Sequence, residues 1–330
     1  MRVGFIGLGN VGAKLAGSLL RNEVDLIVRD LDKSAAQPLL DAGATWGESP
    51  AAMTRQVDMV ITCLPSPAIS AAVLEGDDGI LSVLQPGQIW AEMSTTDESE
   101  VRRLGALVKA KGADAIDCPV SGGCHRAATG NIAIFAGCKR DAFERALPIL
   151  TTMGRRILHT GELGSASMLK VMTNYLATAN LVTLAEALVT SKMAGMDLGT
   201  TYEAIRISSG NSFVHETESQ VILNGSRDIN FTMDLVSKDI GIFQAIAERH
   251  DVPLEVSPLL VEIFKDGEAR YGSRELSPNI IRRLEDAVGV DILAPGFPPE
   301  MTDDEPEEPG YEVIPASRPT QRTNPAAHRS

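Results

Sequence analysis

Through the first 160 residues, short apolar runs recur between stretches of helical spacing, at 2–6, 25–28, 59–63, 89–92, 114–116 and 132–135. Strands of that length alternating with helices predict a parallel sheet joined by crossover helices. Past Gly161 the pattern changes, because from 165 to about 194 there is neither Pro nor Gly and Ala, Leu and Met abound. This predicts one long helix of roughly 45 Å. Its apolar residues run nearly all round, so it is expected to lie buried between domains or between subunits. The segments 198–208, 212–224, 233–250 and 258–271 carry helical periodicity with turns between them, and the second half therefore reads as all-α. From 295 the chain becomes acidic and Pro-rich over 301–309, then almost free of large apolar residues over 317–330. That composition predicts a flexible tail, or one bound to a neighbour through Tyr311, Val313 and Ile314. The expected division is an α/β domain at 1–160, a helical domain at 161–294 and a tail at 295–330.

Composition changes this picture mainly by exclusion. With 44% hydrophobic and 22% charged residues, a chain of 330 is a packed protein of about two domains, and disorder throughout is excluded. Lys and Arg number 30 against 44 Asp and Glu, and a net charge of −14 with no basic stripe predicts no nucleic-acid partner. No apolar run reaches the roughly 18 residues of a membrane span, so no membrane partner is expected. The apolar start at Val3–Ile6 breaks at once into glycines, which reads as a first strand and not as a leader. The four cysteines, Cys63, Cys118, Cys124 and Cys138, lack metal-site or scaffold spacing, which suits reduced thiols, no metal and a cytoplasmic protein.

The candidate chemistry begins at Gly7-Leu8-Gly9-Asn10-Val11-Gly12, directly after the first strand and before a helical run. In that context Gly7 permits a tight turn, Gly9 lets the backbone approach a pyrophosphate, and Gly12 lets helix and strand pack closely. The helix N-terminus adds free N–H groups and a positive dipole. The second strand ends in Arg29-Asp30, with Asp30 18 residues past Gly12, close to the spacing at which a carboxylate meets the adenosine ribose and repels a 2′-phosphate. NAD is therefore expected over NADP, with Arg29 pointing elsewhere by strand alternation. The plainer alternative is that Asp30 caps the next turn.

Further segments end strands on the carboxyl edge of the predicted sheet, where open α/β sheets bind ligands: Leu64-Pro65, Ser94-Thr95, and the turn Ser121-Gly122-Gly123. Three consecutive unhindered N–H groups in that turn could cradle a carboxylate, or it could be only a turn. Lys170 and Asn174 share one face of the long helix by their i, i+4 spacing. Flanked by Met168, Leu169, Val171 and Met172, the lysine is expected to be desolvated, which lowers its pKa and suits a proton carrier.

Taken in order, the glycine loop, Leu64-Pro65, Ser94-Thr95, Asp117-x-Pro119-Val120-Ser121-Gly122-Gly123, Gly161-x-x-Gly164 to Lys170-x-x-x-Asn174, and Lys238-Asp239 resemble the β-hydroxyacid dehydrogenases over roughly residues 1–290. The resemblance implies a Rossmann-type doubly wound sheet followed by a helical domain. It implies that Lys170 is the general acid/base, that Asn174 positions the substrate, and that Ser121, Gly122 and Gly123 hold its carboxylate. Leu64, Pro65 and Thr95 would line the nicotinamide, Lys238 would reach back to the cofactor, and Asp239 would buttress the active-site helix. The substrate would be a small β-hydroxy acid or, in reverse, its semialdehyde, and the protein a homodimer or homotetramer. Decarboxylation after oxidation, or a non-catalytic dinucleotide-binding role, remain alternatives. Cys124-His125-Arg126 departs from the small residues common after Ser-Gly-Gly, so Arg126 could pair with a second anionic group of the substrate, or face water or pair with an acidic side chain of the helical domain.

Overall fold

The computed structural model describes residues 1–316. Ten strands are β1 (Val3–Ile6), β2 (Leu26–Arg29), β3 (Thr45–Trp46), β4 (Met59–Thr62), β5 (Ile89–Glu92), β6 (Asp114–Asp117), β7 (Val120–Ser121), β8 (Ala133–Gly137), β9 (Arg156–Gly161) and β10 (Tyr311–Glu312). Helices α1 (Gly12–Arg21), α2 (Lys33–Asp41), α3 (Pro50–Thr54), α4 (Pro67–Glu75), α5 (Glu98–Ala110), α6 (Gly123–Ala128) and α7 (Arg140–Met153) intersperse the first nine. The rest are α8 (Ser165–Met193), α9 (Leu198–Arg206), α10 (Phe213–Asn224), α11 (Met233–Arg249), α12 (Val256–Tyr271) and α13 (Arg282–Val288).

The strands form one sheet in the order β10-β9-β8-β6-β5-β4-β1-β2-β3, with β7 paired to β8. Strand alternation splits the apolar residues between two layers. Val3, Phe5, Leu26, Val28, Met59 and Ile61 pack in one core, while Ile6, Ile27, Val60 and Trp90 pack in another on the opposite face. The expected parallel sheet holds from β3 across to β6, but β8 runs antiparallel to β6 and β7. Only the six-residue α6 lies between β7 and β8, too little for a helical crossover, so the chain turns back on itself.

Helix α8 runs for 29 residues without interruption and joins the sheet to a separate core built from Leu181, Leu188, Val214, Ile222, Val236, Ile240 and Phe264. Its burial is less complete than its composition suggests, since Leu176 and Met193 stay more than half exposed in the single chain. No helix among the described residues is long and apolar enough to cross a membrane.

The flexible tail is corrected over 301–314. Tyr311 N donates to Arg155 O at 3.0 Å and Val313 N to Ile157 O at 2.8 Å, which adds β10 parallel to β9. Gly310 passes so close to α7 that a Cβ there would stand 2.0 Å from Gly154 O. Acidic composition reads as solvated, yet here the acids meet arginines of the first domain, as in Arg140 with Glu312 at 2.5 Å and Arg155 with Glu308. The remaining expectation of flexibility, at 317–330, lies outside the described residues.

Candidate active site

The glycine loop stands on the carboxyl edge of the sheet where the strand order reverses, between β1 and β4. Gly7 has φ +99°, and a Cβ on it would meet Cys63 O at 2.2 Å. A Cβ on Gly12 would stand 2.0 Å from Gly7 O, whereas one on Gly9 would meet nothing within 4 Å. Two glycines thus close the turn and one leaves room above it. Asp30 accepts from Leu8 N at 2.6 Å and from Asp32 N at 3.0 Å, so its carboxylate is tied to the loop itself. Arg29 turns the other way, donating to Gly47 O at 3.0 Å and Glu48 O at 2.5 Å beside the Trp46 ring.

The next two strand ends are bonded to each other. Leu64 N donates to Ser94 Oγ at 2.7 Å, and Ser94 N donates to Glu92 Oε1 at 2.9 Å, with the Ser94 hydroxyl bonding the same oxygen. Glu92 is fully buried, and desolvation raises its pKa in spite of these donors. Sequence reasoning missed this residue, although an acidic side chain closing the apolar run Ile89-Trp90-Ala91 on a ligand-binding edge is a readable signal. Pro65 follows Leu64 at the same edge, and Thr95 O accepts from Lys238 Nζ at 2.9 Å, linking the sheet to α11.

Gly122 and Gly123 both take positive φ, +129° and +87°, so the turn after Ser121 is one that side chains disfavour. His125 folds back over Gly123, and burial followed by the neighbouring Arg126 charge lowers its pKa. The Arg126 guanidinium lies 5.1 Å from the Phe213 ring centroid and 3.5 Å from Glu305 Oε1. The expected alternative is an acidic partner from the helical domain, but the acid comes from the C-terminal segment, and the helical domain supplies Phe213 instead; nothing local connects α6 with either.

Asp117, at the end of β6, accepts from Gly164 N at 2.8 Å and Ser167 N at 2.7 Å. It supplies from a distant strand the cap that the first turn of α8 lacks, since its N-cap residue is Gly164. Just under two turns further on, Lys170 is only 8% exposed. Desolvation brings its pKa down to about 8, with the Asp239 charge opposing and the Lys238 charge assisting. Asn174 Nδ2 donates to Asp239 Oδ2 at 2.5 Å, and Lys238 Nζ lies 2.8 Å from Asp239 Oδ1. Lys170, Asn174, Lys238, Asp239 and Thr95 are thereby gathered at one junction of α8, α11 and the sheet edge. An amine with a pKa near 8 holds and gives up a proton readily at physiological pH.

Comparison with known proteins supports two continuous matches. A family described as the NAD binding domain of 6-phosphogluconate dehydrogenase matches residues 2–161, and one described as the NAD-binding of NADP-dependent 3-hydroxyisobutyrate dehydrogenase matches 164–284. The chain is 32% identical to 2-(hydroxymethyl)glutarate dehydrogenase of Eubacterium barkeri over 88% of this chain and 97% of that one. It is 31% identical to the NAD-dependent L-serine dehydrogenase of Pseudomonas aeruginosa over 86% and 98%. Among solved structures, 3-hydroxyisobutyrate dehydrogenase from Salmonella typhimurium superposes with a TM-score of 0.79 at 26% identity, covering 86% of this chain and 99% of that one.

Proposed function

The chain belongs to the β-hydroxyacid dehydrogenase family, and from that premise we propose that it oxidises a small β-hydroxy carboxylate, or reduces the corresponding semialdehyde, with NAD preferred to NADP. The observation that carries the reading is the buried Lys170 amine with its pKa near 8, set beside the Asn174, Asp239 and Lys238 cluster.

The residues present fit a nicotinamide dinucleotide. Space is open over Gly9, where the loop Gly7-Leu8-Gly9-Asn10-Val11-Gly12 and the start of α1 would hold the pyrophosphate. Asp30 keeps acceptor capacity beyond its two backbone donors and would take the ribose hydroxyls, its charge disfavouring a 2′-phosphate. Leu64, Pro65 and Thr95 would line the nicotinamide side, with Lys238 drawing α11 onto that wall. When bound, the nicotinamide supplies the hydride exchange.

The protein's own part is binding and proton handling. The Ser121 hydroxyl and the N–H groups of Gly122 and Gly123 would receive the substrate carboxylate, with Arg126 flanking them. Asn174, its amide nitrogen held by Asp239, has its side-chain oxygen left to accept from the substrate hydroxyl. In oxidation neutral Lys170 takes the hydroxyl proton at Nζ, and in reduction the ammonium returns it. The protein is also read as a homo-oligomer, which the exposed Leu176 and Met193 on α8 support, and as cytoplasmic, which its four free cysteines support.

A steady-state assay of NAD and NADP reduction over a panel of β-hydroxy acids tests this. We expect turnover with NAD at the lower KM, rising with pH to a plateau past about 8 because the neutral amine is the base. Absence of turnover with every acid would leave a dinucleotide-binding protein without this chemistry, and a lower KM for NADP would overturn the role of Asp30.

A further inference from the structure

The segment 303–313 lies past the family match at 164–284 and crosses the first domain as an ordered strap. One end is fixed by β10 against β9. The other end lies on residues 125–131, which continue from the Ser-Gly-Gly turn. Asn131, 1% exposed, donates through Nδ2 to Asp303 Oδ2 and to Glu305 O, both at 2.8 Å. Thr129 Oγ1 bonds the same Asp303 oxygen. Arg21 on α1 holds Glu307 at 3.0 Å, so the backbone on either side of Glu305 is anchored.

Within this frame Glu305 reaches Arg126 at 3.5 Å. The arginine side chain is 26% exposed and packs against the Phe213 ring, so it is a partly desolvated guanidinium with a fixed outlook. Its charge is already answered from within the chain. The Arg126 side chain passes beside the cradle, its Cδ 3.3 Å from where a Cβ on Gly122 would stand, so an incoming carboxylate would compete with Glu305 for the guanidinium and would meet the charge of the strap on the way.

Resting on the functional reading above, we infer that Glu305 is a specificity-determining residue: by occupying Arg126 beside the substrate cradle it selects singly charged hydroxy acids over those with a second anionic group. This role belongs to the C-terminal strap of this chain and acts through Arg126. Glu305 itself need not touch the substrate.

The test uses two acids that share the hydroxymethyl-carboxylate core and differ in a second carboxylate arm, 3-hydroxyisobutyrate and 2-(hydroxymethyl)glutarate. Their dissociation constants are measured by calorimetry, in the presence of NADH so that no turnover occurs, for the native protein, E305Q and R126A/E305Q. In E305Q the affinity for the dicarboxylate relative to the monocarboxylate is expected to rise about tenfold, the scale of one charge-assisted pair. In R126A/E305Q that gain should vanish. A ratio within twofold of the native protein in E305Q, or a gain that survives loss of Arg126, would overturn the inference and leave the functional reading standing. Binding of neither acid to any form would overturn both.

Discussion

The glycine loop and the lysine cluster both stand at the carboxyl edge of the sheet but reach their properties by different routes. In the loop, function lies in the backbone: Gly7 and Gly12 are excluded from carrying a side chain by carbonyl oxygens 2.2 and 2.0 Å from where a Cβ would stand. Six consecutive residues and one neighbouring strand end suffice. In the cluster, no residue has its property alone. Lys170 owes its lowered pKa to burial, its balance to Asp239 and Lys238, and Lys238 owes its place to a carbonyl 143 residues away in sequence. A site made of backbone shape fails abruptly when a side chain is added, whereas a site made of coupled charges is expected to shift by degrees.

The sharpest way to separate the two is Lys170→Ala. It should lower kcat by about 10²–10⁴-fold while NAD affinity, measured by fluorescence titration, stays within about threefold. Retention of more than about a third of native kcat would end the assignment. Next in size, Gly12→Val should destabilise the fold by about 2–4 kcal/mol in denaturant titration, because its Cβ meets backbone that cannot yield. Gly9→Val should leave the unfolding midpoint nearly unchanged and weaken NAD binding at least about tenfold, since its side chain enters open space. Equal effects of the two glycines on stability would show that the loop is not divided as described.

The smallest expected effect distinguishes the cluster. The Lys238 charge lowers the Lys170 pKa and the Asp239 charge raises it. Lys238→Met should therefore move the rise of oxidation rate to higher pH, and Asp239→Asn should move it to lower pH, each by up to about one unit. Shifts in the same direction would show that Lys170 is not the titrating base.

How much could be read from the chain follows the same division. Helix α8 was legible because 165–193 contains nothing that breaks a helix, and the predicted strands at 2–6, 59–63 and 89–92 fall on β1, β4 and β5. The two-residue strands β3 and β7 carry too little pattern to see. In β9, Arg156, His159 and Thr160 interrupt the apolar run although Ile157 is buried. The cap of Asp117 on α8 spans 47 to 50 residues, and the tie of Glu92 to Leu64 runs through Ser94, at the end of the same strand as Glu92, to a strand end 30 residues away. Such links are products of the packed sheet and leave no local period. The C-terminal segment misled for a different reason: composition counts charges, and only the fold shows that they are answered.

Pairing of Tyr311–Glu312 with β9 also has a consequence for how the molecule is made. On the ribosome, residues through Gly161 emerge first, and the strand that closes their sheet follows about 150 residues later, roughly 10–30 s at ordinary rates of synthesis. For that interval β9 is an open edge, with unpaired N–H and C=O groups able to accept a strand from another nascent chain. The whole helical domain must be synthesised before the first domain is finished. A ribosome stalled between those two points would hold a nucleotide-binding half whose outer edge is exposed, so β10 ties completion of the first domain to synthesis of the second.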